Sequence, residues 1–155
     1  MAAQAKTVTC SELGLNIEDD NNNNLKLLSE AFNKGQEVIV DDMYFIKRNN
    51  ENKPQGLHGL YPVNGNIILK GLSQMCGFKF KDYDLFDGGL GLFRLTSKTK
   101  KISINNISFT TNITSELALE DEDRPLTLFY AETNDAQNIK IDLFKIENCV
   151  FDGPI

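Results

Sequence analysis

The chain has 155 residues, 41% of them hydrophobic and 25% charged, which is enough for one domain with a continuous core that needs neither metal nor disulfides. A formal charge of -6 at pH 7 argues against nonspecific attraction to nucleic acid or anionic membrane, since phosphate binding needs clustered Lys and Arg. No apolar run is long enough for a membrane-spanning helix, so no membrane insertion is expected.

Residues 1–6 lack the charged start and apolar stretch of a signal peptide, so the chain is expected to be either cytoplasmic or a trimmed form of an exported protein. Residues 19–24 are rich in helix N-cap types and precede Leu25, Leu28, Ala31 and Phe32, an apolar stripe at i, i+3, i+6 and i+7. The spacing predicts a short helix that stops at Gly35, after Lys34. Val38-Ile39-Val40 and Tyr44-Phe45-Ile46 then read as strands around a tight turn at Asp41-Asp42-Met43. A polar loop follows over 47–55, with His58 just beyond it in a Gly-rich stretch.

Beyond Gly65 the pattern becomes short strands with polar corners, and two motifs recur in the same order. Leu90-Gly91-Leu92-Phe93 aligns on Leu126-Thr127-Leu128-Phe129, and the stretch from Ile102 to Phe109 aligns without gaps on that from Phe144 to Phe151. A looser copy runs through Ile67-Ile68-Leu69-Lys70-Gly71 and on from Cys76 to Phe80. Each unit offers strands with alternate apolar residues and cannot bury them alone, so stacked units are expected, with Ile102, Ile104, Ile107 and Phe109 over Phe144, Ile146, Cys149 and Phe151. Asn106 and Asn148 fall at the bends, where Asn tolerates positive φ and its amide can reach the neighbouring unit. Residues 112–125, rich in Glu and Asp, are expected to project from a corner as a solvated loop.

Three cysteines, Cys10, Cys76 and Cys149, give an odd count without C-x-x-C spacing, so neither a disulfide framework nor a zinc site is predicted. Buried free thiols are the better reading. Lys98, Lys100 and Lys101, a short basic cluster, read as a solvated turn. Asp82, Asp84 and Asp87, before Gly88-Gly89, are the candidate metal residues: their oxygens suit calcium, although the distal Glu of a calcium loop is replaced by Phe93. An Asp- and Gly-rich turn is the plainer account of the same residues, and no other cofactor is evident. Arg94 and His58 are the candidate substrate-binding residues, and no catalytic residue is assigned.

The order Asp19-Asp20, Leu25, Leu28, Ala31, Gly35, Val38-Ile39-Val40 and Tyr44-Phe45-Ile46, followed by Asn138-Ile139-Lys140-Ile141 and the two N-x-x-F copies, resembles the pectin-lyase-like superfamily. The resemblance implies an all-β fold, a right-handed parallel β-helix of few coils with an N-terminal capping α-helix. The whole of 1–155 would be one domain, its cap over about 8–46 and its coils over about 60–155, forming the N-terminal part of a longer β-helix. It implies a secreted protein, extracellular or at the cell surface, that acts on or binds polysaccharide, as a lyase or glycoside hydrolase whose active site lies outside this chain. The different-class alternative is a noncatalytic adhesin or tailspike-like surface protein. The Asp41-Asp42-Met43 turn replaces the Pro-Gly pair usual there, and the paired motifs of polygalacturonase-like enzymes do not occur. A last coil without a cap is expected to leave an apolar face open for self-association.

Overall fold

The computed structural model describes residues 6–21, 23–46, 61–80, 91–111, 127–131 and 136–153. Strand is the commonest state among them, and every strand pair is parallel. The elements run β1 (Thr7–Thr9), α1 (Cys10–Leu13), α2 (Asn24–Asn33), β2 (Glu37–Val40), β3 (Met43–Ile46), β4 (Pro62–Val63), β5 (Ile67–Gly71), β6 (Gly77–Phe80), β7 (Gly91–Leu95), β8 (Lys101–Asn105), β9 (Ser108–Thr111), β10 (Thr127–Tyr130), β11 (Leu143–Glu147) and β12 (Val150–Asp152). They form three sheets, ordered β1-β2-β5-β8-β11, β3-β6-β9-β12 and β4-β7-β10. Neighbours within each sheet are therefore strands that lie three apart in sequence order, except β1 and β2, which are separated by the two helices.

The N-terminal end owes its form to side chains that satisfy backbone donors. Thr9 and Glu12 make a reciprocal capping box on α1, and Gly14 ends that helix at φ 89°. Neither β1 nor α1 is foreseen from the sequence, because three strand residues and one helical turn leave almost no periodic signal. The helix expected over the Leu25 to Phe32 stripe is α2, followed by Gly35 at φ 76°. Its first turn is capped from a distance: Asp19, itself at φ 53° and fully buried, accepts from the amides of Asn23 and Asn24 through Oδ1, both at 3.0 Å. Asn24 is also fully buried, and its side chain bonds the Asn16 amide and the carbonyls of Asn16 and Phe45. These bonds tie the 16–24 turn to β3 and leave no buried amide atom of Asn24 unsatisfied.

The core is made of rungs that follow from the pairing register. In the first sheet Val8, Val38, Leu69, Ile104 and Ile146 are successive partners, with Ile67, Ile102 and Phe144 as a second row. In the second sheet the row is Tyr44, Phe78, Phe109 and Phe151, and in the third Phe93 lies beside Phe129. The aromatic rows stack: Phe109 and Phe151 have ring centroids 5.5 Å apart at 6°, and Phe93 and Phe129 6.2 Å apart at 29°. α2 places Phe32 edge-on to Phe93 at 5.8 Å, so the helix covers the third sheet with an aromatic of its own. Both gap-free alignments of the sequence coincide with this register, since Phe144 faces Ile102, Phe151 faces Phe109 and Phe129 faces Phe93. A period of two along each strand fixes this outcome, because a one-residue slip would turn each apolar row to solvent.

The corners carry the remaining constraints. Asn106 and Asn148 adopt φ 60° and 52° between consecutive strands, as their place in the repeat predicts. Their amides take partners other than the matching asparagine: Asn106 Nδ2 donates to the Gly71 carbonyl at 3.2 Å, and Asn148 Nδ2 to Asn105 Oδ1 at 3.4 Å. Gly71 occupies the corner position one strand earlier, where a Cβ would collide with the Asn106 carbonyl oxygen. At the next corner Thr96 and Thr99 both donate to the Val63 carbonyl, at 2.9 and 3.0 Å. Cys10 and Cys76 are buried free thiols as expected, whereas Cys149 is half-buried, because its strands lie at the edge of their sheets.

Candidate functional site

Of the candidate metal and substrate-binding residues, Arg94 alone falls within the described residues; His58, Asp82, Asp84 and Asp87 lie outside them. Arg94 sits on β7 between the buried Phe93 and Leu95, so alternation turns it to the outer face of the third sheet, where it is half-buried. Its partners across the sheet are Pro62 on β4 and Tyr130 on β10. A proline, a guanidinium and a phenol thus form one transverse row, spaced by the strand separation of about 4.8 Å. The fork of five donors on Arg suits carboxylates and hydroxyl pairs, and a flanking aromatic offers a stacking face.

A second polar constellation was not singled out by the sequence. Thr9 pairs with Ile39, and continuing that register past β1 and β2 sets Ser11 beside Asp41, thirty positions downstream. Ser11 Oγ donates to Asp41 Oδ2, Tyr44 Oη donates to Asp41 Oδ1 at 2.6 Å, and the two hydroxyls are 3.2 Å apart. Burial pulls the Asp41 carboxyl upward, but the hydrogen bonds from Ser11 and Tyr44 outweigh it and hold the group below the usual carboxylate range. Burial, and then the hydrogen bond to Asp41, pushes the Tyr44 phenol up. Burial, and then the charge of Asp41, does the same to the Cys10 thiol.

The signs of these shifts decide what the cluster does. A carboxylate with a lowered pKa is a poor general base near neutral pH, and a thiol or phenol with a raised pKa is a poor nucleophile. Ser11, Asp41 and Tyr44 therefore act as a polar staple that fastens α1 to the turn between β2 and β3. The spacing Asp41-x-x-Tyr44 across a tight turn is a weak signal for it; the contribution of Ser11 needs the parallel register and is invisible in the sequence. Among the described residues, no group of three or more His, Cys, Asp or Glu is gathered as a metal site. No described helix is long and apolar enough to cross a membrane.

No family model, curated protein or solved structure matches the chain.

Proposed function

We propose that the chain is a right-handed parallel β-helix that binds polysaccharide along the outer face of its third sheet, with Arg94 as the principal contact. The observation that carries this reading is the Pro62, Arg94 and Tyr130 row, where a cation between a tyrosine and a proline stands on a strand rather than a loop. Support for the helical path comes from the element order: each return to the same sheet is a parallel crossover, and such connections are right-handed in roughly 98% of cases. The same reading takes the protein to be extracellular or at the cell surface.

Titration of the full chain against uronate polymers and neutral glycans tests the reading, with unsaturated products and new reducing ends read in the same samples. Saturable binding that falls at least tenfold in Arg94→Ala, with unchanged circular dichroism, is the expected result. Binding that ignores Arg94, or no binding to any glycan, overturns it. The same titration with a chelator tests the candidate calcium role of Asp82, Asp84 and Asp87.

A further inference from the structure

The three sheets end differently at their two edges. α2 packs against the edge strands β3 and β4 and against β2 next to the first sheet's edge; its Phe32 meets Phe93, and its Leu28 and Ala31 are buried. At the opposite edges, β10, β11 and β12 each have a strand neighbour on one side only among the described residues, and Phe129 packs edge-on to Phe144 at 5.7 Å, so these strands adjoin. The apolar rows stop there in the open: Phe144 is 58% exposed and Phe151 44%, although their row-mates Ile102 and Phe109 are fully buried. Unpaired strand edges beside exposed rings form an association surface.

We infer that this face pairs with the same face of a second copy of the chain, β11 against β11 in antiparallel register about a twofold axis. The inference does not depend on glycan binding. Two observations select this occupant. α2 lies over the other end, which disfavours head-to-tail stacking and leaves an isologous contact that closes at two copies. Charge selects the register. Lys145 and Glu147 both point outward on β11, 3.3 Å apart and about half exposed. Setting Lys145 of each copy opposite Glu147 of the other brings Ile146 against Ile146 inside and gives two opposite-charge pairs. Shifting to Lys145 opposite Lys145 also keeps the apolar row inside but sets like charges together, which is unfavourable. The chosen register also carries each Phe144 ring toward the Phe151 end of its partner.

Sedimentation equilibrium of the full chain over a range of concentrations provides the test. A reversible monomer–dimer equilibrium is expected. Lys145→Glu weakens it by about tenfold, since two attractive pairs become repulsive, and Lys145→Glu combined with Glu147→Lys restores it. Phe144→Asp removes the dimer while far-ultraviolet circular dichroism stays unchanged, because this exposed ring contributes little to the monomer fold. A chain that stays monomeric throughout, an open-ended series of oligomers, or a dimer indifferent to both the charge swap and Phe144→Asp overturns the inference.

Discussion

Truncating Ile104 to Ala tests the core row of the first sheet directly. Ile104 is 1% exposed and has Leu69 and Ile146 as partners on either side, so its side chain is enclosed within one row. The change deletes three carbon groups; at about 0.8 kcal/mol for each buried methylene the transfer loss is about 2.4 kcal/mol. A cavity between two fixed rungs adds to this, because neighbouring strands held by their ladders relax only in part, which brings the cost to about 3–4 kcal/mol. Ile146→Ala removes the same atoms from the last rung, where the side chain is half-buried and water fills the gap, so about 1 kcal/mol is expected. Urea unfolding followed by circular dichroism, at concentrations where the chain is monomeric, gives both values from the midpoint and slope. Equal costs at the two positions, or a loss below about 1 kcal/mol at Ile104, would refute the row. Ile104→Asp should exceed about 3 kcal/mol, since it places an unpaired carboxylate in the same space.

The corner at Asn106 predicts an ordering: Asn106→Ala costs about 1–2 kcal/mol for a Cβ residue without a local hydrogen bond at φ 60°, whereas Asn106→Gly costs less, and thermal unfolding ranks them. Gly71→Ala forces a methyl group against the Asn106 carbonyl and should cost about 1–3 kcal/mol in the same assay. The staple predicts a pH dependence of known sign. Because the folded Asp41 pKa is lowered, its contribution is present above the unfolded carboxylate value near 3.9 and is lost as pH falls through the lower folded value; Asp41→Asn should flatten that acid limb. Tyr44 has a raised folded pKa, so its contribution is present below the unfolded phenol value of about 10 and falls as pH rises beyond it; Tyr44→Phe should remove this alkaline loss.

Much of the scaffold is legible in the chain because its signals are local and repeated. The stripe from Leu25 to Phe32 marks α2, and the pattern I-x-I-x-N-x-x-F at Ile102, repeated as F-x-I-x-N-x-x-F at Phe144, reports which residues share a rung, since a strand with one buried face admits a single parity. Asn at the two bends is equally readable: few other residue types accept positive φ cheaply. The partners of those groups are not. Asn106 bonds to Gly71, and Ser11 meets Asp41, through the rise from one strand to the next, a vector absent from either stretch of sequence. The protonation of Asp41, Tyr44 and Cys10 likewise depends on burial and on neighbours brought from other strands. Periodicity and backbone tolerance thus determine the rows and corners from the sequence alone, whereas the tertiary structure decides which polar groups meet and which strands carry exposed rings, because both depend on distances between strands that are remote along the chain.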